Sequence, residues 1–350
     1  MVIERIFAAL VVAAALATGA LALRSDAALV APAPMALPLS ATPLPLDRDD
    51  PALNQVGALR FLGAVHIRSS DPLFGGISGL RAGNGGRFLA VGDTGNWLAF
   101  DTVERGGRLV GVTNGTIAPI RQSDGNFAAT KADGDAEALE WDPASGVAAI
   151  VYEQDHRIVH FAAIDAGQAA SLAGIPIRTE RLTAMTGWPS NGGGEAMAVL
   201  PTRNGVTARI IIAEAARRAD GTHAALLTVA GKTREIGVAS PADHAPTDAI
   251  ALDDHRILVI SRRFSPLARS AALSIVDLGP ALAGSDAPLP ALELARLVPP
   301  MTVDNMEGLA IRRSGDRTFL YMIADDNLSG LQRTILMKFE LLWDARAGTE

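Results

Sequence analysis

Apolar residues along this chain fall into short paired runs separated by turn residues, and the pairs return at a nearly constant interval. Each pair opens on one signature: an acid, a small residue, then a large apolar one. It stands at Glu137-Ala138-Leu139, Glu195-Ala196-Met197, Asp248-Ala249-Ile250 and Glu307-Gly308-Leu309, and with serine for the acid at Ser78-Gly79-Leu80. The openings are 59, 58, 53 and 59 residues apart. A period of that size marks a repeat architecture before any other feature is weighed.

Each copy continues as strand, tight turn, strand. After Asp248 comes Ala-Ile-Ala-Leu, the turn Asp253-Asp254-His255, then Arg-Ile-Leu-Val-Ile and Ser261-Arg262. The copy after Glu137 turns at Asp142 to Gly146 and ends at Glu153. Those after Glu195, Glu307 and Ser78 end at Glu214, Asp325 and Asp93. This is the hairpin pattern. Strands apolar on both faces belong to a stacked interior, not to a sheet with one wet side.

The two chain ends complete the count. The 36 residues from Glu307 to Trp343 and the 21 from Gly57 to Ser78 together make one more period. A C-terminal strand over 335–342 and an N-terminal strand over 59–67 are therefore predicted to share one blade, which closes a ring. The fold class is all-β, a β-propeller of five four-stranded blades. Six blades, with one signature lost, is the alternative count. A β-sandwich or two smaller β domains would explain the strands but neither the period nor the closure.

In a hairpin the start of the first strand lies beside the end of the second. The opening acid of each repeat therefore neighbours the charged residue that ends its hairpin: Ser78 with Asp93, Glu137 with Glu153, Glu195 with Glu214, Asp248 with Arg262, and Glu307 with Asp325 and Asp326. Uniform hairpin orientation collects these pairs on one rim, at the mouth of the central channel if the hairpin is innermost. Crowded carboxylates raise one another's pKa unless a cation neutralises them. The predicted metal ligands are Glu137, Glu153, Glu195, Glu214, Asp248, Glu307 and Asp325, with Asn191, Asn305 and Asn327 close by. An all-oxygen set suits a hard cation, Ca²⁺ best. Glu137, Glu195, Glu307 and Arg262 are the candidate catalytic groups, and Arg157, Arg263, Arg333 and His156 the candidate substrate contacts. The competing explanation is structural: each acid accepts backbone N–H bonds from the next blade, and Arg262 simply pairs with Asp248.

Composition narrows the classes. The chain of 350 residues has no cysteine, which excludes disulfides, thiolate metal sites and a cysteine nucleophile. Its net charge of −7 argues against nucleic acid as a partner. Gly76-Ile77-Ser78-Gly79 is followed by Leu80 where a serine-hydrolase elbow needs glycine, so it reads as a turn. At the N-terminus, Arg5 precedes an apolar run from Ile6 to Leu23 containing the small-x-small pattern Ala20-Leu21-Ala22. Residues 1–26 read as a cleaved signal, or as an uncleaved anchor, the one expected link to a membrane. Either places the remainder in the periplasm or outside the cell. The proline-rich stretch 27–56 reads as an extended linker, because it suits neither helix nor central strand. Residues 57–343 form the propeller and 344–350 a tail. A monomer is expected.

Several longer blocks carry a resemblance. They include 75–80 (GGISGL), 133–139 (DGDAEAL), 152–158 (YEQDHRI), 192–197 (GGGEAM), 262–265 (RRFS), 304–309 (DNMEGL) and 325–329 (DDNLS). Over residues 57–343 the chain resembles the bacterial phytase-like domain family, associated with esterase-like activity. The resemblance implies an exported propeller that hydrolyses phosphoric or carboxylic esters. Two readings follow: a Ca²⁺-assisted hydrolase of a small-molecule ester, with a lactonase as its variant, and a non-catalytic, Ca²⁺-stabilised binding module of the cell envelope.

Overall fold

A computed structural model describes residues 27–201, 205–265 and 268–343. The expected signal segment and C-terminal tail lie outside them. Five antiparallel sheets are present, and each supplies one innermost strand to a ring. Blade 1 runs outward as Ile77–Ala82, Arg87–Gly92, Asn96–Arg105 and Arg108–Pro119; blade 2 as Ala136–Asp142, Val147–Tyr152, Arg157–Phe161 and Arg178–Glu180. Blade 3 comprises Gly194–Pro201, Thr207–Arg217, His223–Val229 and Lys232–Val238, and blade 4 Ala245–Ala251, Arg256–Ser265, Ala268–Asp277 and Ala291–Leu297. In blade 5, Asn305–Ser314, Arg317–Asp325 and Ile335–Leu341 are followed outward by the N-terminal strand Leu59–Ser69. The innermost strand of each blade neighbours that of the next, and blade 5 returns to blade 1.

Closure occurs as the repeat arithmetic requires: Ile335 pairs with His66, Met337 with Ala64 and Leu341 with Leu59. The fold is a five-bladed β-propeller. Among the described residues no helix is long and apolar enough to cross a membrane.

The strands are apolar on both faces because every blade is covered twice. Period-2 alternation sends Leu89 and Val91 of blade 1 into the gap with blade 2, where Leu139, Trp141 and Ile150 meet them. Phe88 and Ala90, from the same strand, enter the gap with blade 5 against Tyr321 and Ile323. Each of the five gaps holds one such apolar cluster. Fully burying a side chain of this size is worth roughly 1.5–3 kcal/mol, so the gaps carry the stability of the ring.

The small residue of the repeat has a packing cause. At Gly308 an added Cβ would lie 2.9 Å from Leu80 Cβ and 3.1 Å from Leu80 N. At Gly79 it would lie 3.0 Å from Leu139 Cβ. Innermost strands approach one another most closely near the axis, which leaves no room for a side chain at these two glycines.

The proline-rich stretch 27–56 is a correction to the linker reading. It is extended, but it is also paired. Met35–Leu37 adds a fifth strand outside blade 1, and Leu39–Leu44 adds one outside blade 5. Both are edge positions, where Pro43 costs no ladder hydrogen bond. Ala31, Leu37 and Leu46 are buried and pin the segment down.

Candidate functional site

The register of the innermost hairpins sets the site. Every one carries a β-bulge at its entrance, which leaves one residue unpaired and re-aims its side chain. The bulged residues are Ser78, Glu137, Glu195 and Glu307 in blades 1, 2, 3 and 5. In blade 4 the pairs Pro246↔Ser261 and Asp248↔Ile260 place the bulge at Thr247. Asp248 thus occupies the small-residue position, one step off the alignment expected from its sequence. A one-residue shift sends a side chain to the other face.

Asp248 therefore leaves the rim, and its expected pairing with Arg262 is replaced by one with Arg81. Arg81 lies buried on the axis. Its Nη1 donates to Leu80 O at 2.7 Å, Leu309 O at 3.0 Å and Asp248 Oδ2 at 2.8 Å. Its Nη2 donates to Met197 O at 2.9 Å and Ala249 O at 2.8 Å, and Glu140 Oε2 lies 3.4 Å away. All five blades thus contribute an oxygen to one guanidinium, which closes the axis just below the bulges. Burial pushes the Asp248 carboxyl up to about 6 and that of Glu140 to about 7, with Arg81 opposing both shifts.

Above this plug lies a cup of about 430 Å³. Among the described residues its wall carries eight carboxylates (Asp93, Asp135, Glu137, Glu153, Glu195, Glu214, Glu307 and Asp325) against two cations, Lys131 and Arg262. Asn191 and Asn327 also line it, as does the N-terminal segment at 27–29. Asn96 fixes that segment by accepting from Ala31 N at 2.7 Å and donating to Leu29 O at 2.6 Å.

The residue ending each hairpin reaches forward to the next blade. Asp93 meets Lys131 at 3.0 Å. Glu153 accepts from the backbone N–H groups of Gly192 and Gly193, the latter at 2.7 Å. Glu214 meets Arg262 at 3.3 Å, and Arg262 meets Glu307 at 3.0 Å. Asp325 Oδ1 accepts from Ile77 N at 2.9 Å. The structural explanation weighed for these acids thus describes Glu153 and Asp325 well.

It does not describe the bulge glutamates. The bulge hydroxyls Ser78 and Thr247 donate to the next blade's Ala136 O and Met306 O. Glu137 and Glu195 turn into the cup instead. Burial first, and then the neighbouring carboxylates, hold both well above the ordinary range. For Glu137 the strongest neighbouring charges are Asp135, Asp93, Glu153 and Glu307, all acidic. Burial also raises Asp325 strongly, and brings Glu307 to about 7 despite Arg262. One oxygen each from Asp135, Glu137 and Glu153 lie within 4.8 Å of one another, close enough to share a cation.

The cup therefore gathers Glu137, Glu153, Glu195, Glu214, Glu307, Asp325 and Arg262. It does not gather the four expected substrate contacts. Arg157 folds back over the Tyr152 ring, 4.0 Å from its centroid, and bonds Asp155 and Asp133 O. His156 packs against Gly193, with Nε2 3.2 Å from Trp188 O. Arg263 sits half-exposed 3.8 Å from Asp243, and Arg333 meets Asp304 at 3.3 Å. Sequence proximity to a rim acid did not translate into direction, because consecutive strand residues face opposite ways. Asp135 and Lys131 were missed as site residues. Asp133-Gly134-Asp135 immediately precedes Glu137 and was the available signal.

The sequence matches the family model described as phytase-like, esterase-like activity of phytase, over residues 72–328, and the chain belongs to that family. No curated protein matches it. Among solved structures it is similar to a thermostable family-43 glycoside hydrolase, with TM-score 0.46, 8% identity, and coverage of 75% of this chain and 89% of that one. The endo-arabinase from Bacteroides thetaiotaomicron gives TM-score 0.44 at 10% identity, covering 75% and 93%. U3-55K gives 0.39 at 8%, covering 81% and 99%. Likenesses this loose carry no information about the cup's residues.

Proposed function

We propose that the acidic cup is the active site of an exported, divalent-cation-dependent hydrolase of small phosphoric or carboxylic esters. The observation that carries this reading is the pair Glu137 and Glu195: carboxyls turned into a cavity, lacking the blade-to-blade bonds of their neighbours, and crowded by like charge. Such a set is costly without a cation. Its all-oxygen chemistry fits Ca²⁺, which accepts several carboxylates in loose geometry. Asp135, Glu137 and Glu153 would hold it, and Glu195 lines the same cup. When bound, the ion supplies charge neutralisation and polarises a phosphoryl or acyl oxygen.

The chain's own groups do the rest. Arg262, held between Glu214 and Glu307, offers guanidinium donors to an anionic substrate or to charge developing in the transition state. Glu307, titrating near neutrality, can take a proton from an attacking water and return it. The Arg81 plug makes the cup blind, so substrate enters and product leaves by the one mouth.

The test is hydrolysis of p-nitrophenyl phosphate, p-nitrophenyl acetate and an aromatic lactone. Protein stripped of metal and desalted is compared with the same protein given Ca²⁺. Turnover that returns with Ca²⁺ and is lost in Glu195→Gln is the expected outcome, and the preferred substrate distinguishes esterase from lactonase. Stabilisation by Ca²⁺ with no turnover on any substrate would make the cup a binding module and overturn the hydrolytic reading.

A further inference from the structure

The face opposite the cup carries a groove of about 390 Å³ between blades 5 and 1. Strand direction places it there: Asn305–Ser314 starts beside the cup and ends on the far face, as does Asn96–Arg105. Four cationic side chains line the groove, Arg312, Arg313, Arg317 and Lys338, with Glu104 the one carboxylate among the described lining residues. In a chain of net charge −7, this is a local reversal of sign.

Glu104 has its oxygens taken. Tyr321 Oη donates to it at 2.7 Å and Lys338 Nζ at 2.6 Å. Arg317 meets Glu340 at 2.6 Å, and Arg60 shares that carboxylate. Arg313 donates to neutral oxygens, Leu252 O and Thr318 Oγ1. Arg312 has no carboxylate within ion-pair distance among the described residues; its guanidinium carbon lies 5.9 Å from the Phe88 ring centroid. Among the described residues the four lining cations and neighbouring Arg60 thus stand against Glu104 and Glu340, an excess of three positive charges. Arg317 and Lys338 lie over the Phe319 ring, 4.8 and 4.7 Å from its centroid, and Tyr321 is buried beneath with its hydroxyl on Glu104.

We infer that this groove is a second binding site, for a small oxyanion of the phosphate or carboxylate class. A guanidinium presents paired donors that match two oxygens of either group, and a half-enclosed groove weakens solvent screening. The site is separate from the cup in place and in sign, and it needs no metal.

Calorimetric titration of metal-stripped, desalted protein tests it, because the bare cup repels anions under that condition. The probes are inorganic phosphate, phenyl phosphate and benzoate. Saturable binding of phosphate, phenyl phosphate or benzoate is expected, and Arg312→Gln should weaken it about tenfold. Phenyl phosphate above benzoate would identify the phosphate source, and the reverse order the carboxylate. Glu195→Gln, in the cup, should leave the affinity unchanged. A melting curve for Arg312→Gln matching that of the parent protein shows that lost binding is not lost folding; if that variant melts early, Arg312→Lys serves in its place. Failure of all three probes to bind below about 10 mM would overturn the inference. So would binding that Glu195→Gln abolishes and Arg312→Gln spares.

Discussion

Replacing Arg81 by methionine keeps most of the volume on the axis and removes the charge that all five blades share. The magnitude follows from what is left behind. Asp248 is fully buried and loses its one ion-pair partner, and breaking a buried pair from one side costs about 3–5 kcal/mol. Four inward carbonyls lose a charged donor as well, each loss partly offset if water fills the space. A total near 4 kcal/mol, at about 2 °C per kcal/mol for a domain this large, lowers Tm by about 8 °C. The effect carries a pH signature. Asp248 and Glu140 already titrate at about 6 and about 7, above the ordinary carboxylate range. A buried acid with a raised pKa stabilises the fold fully below its unfolded value, and that contribution is lost as pH rises through its folded value. Without Arg81 both values climb further. The variant's deficit should therefore be small near pH 5 and largest near pH 8. Scanning calorimetry at the two pH values measures it, and Arg81→Met combined with Asp248→Asn should recover much of the loss at pH 8. A variant within about 2 °C of the parent at pH 8 would refute the reasoning, as would a deficit equal at both pH values.

The remaining expectations concern the cup and its wall. Metal-stripped protein should lose stability as pH rises from about 4.5 through 7, because the folded-state pKa values of Glu137, Glu195, Asp325 and Glu307 are all raised; urea melts across that range measure the slope. Glu195→Gln should raise the Tm of the metal-stripped protein while reducing the further rise that Ca²⁺ produces. Opposite signs from one substitution separate a ligand carboxylate from a packing one. Asn96→Ala should cost about 1–3 kcal/mol and expose the 27–31 segment, read out as faster proteolysis at that segment.

The ring was legible because its signals are periodic. Spacing, turn residues and two-faced apolar strands all follow from stacking identical blades, and they pointed to five blades, with six as the alternative, and to the closing strand pair. Blade 4 shows where that reading fails. Asp248-Ala249-Ile250 imitates the signature, yet the bulge falls on Thr247, and the interval of 53 residues could not distinguish the two registers. Ser78 held the missing hint: where the bulge residue is a hydroxyl, it bonds the next blade's carbonyl, and Thr247 does the same. Arg81 was invisible for another reason. It stands once in a repeat whose other copies carry Glu140, Ala198, Ile250 and Ala310 at that position, and only the closed ring brings their oxygens to it. The rim acids were found because they open or end the hairpins. Arg157, Arg263 and Arg333 were misplaced because direction, unlike position, depends on local backbone turns, as the left-handed His156 before Arg157 illustrates.

Calorimetric titration of Ca²⁺ into the metal-stripped protein at neutral pH, with Glu137→Gln and Glu195→Gln in parallel, tests the acidic cup most directly. Saturable binding that both substitutions weaken at least tenfold is the result this account expects. Absence of saturable binding, or affinity unchanged in both variants, would contradict it.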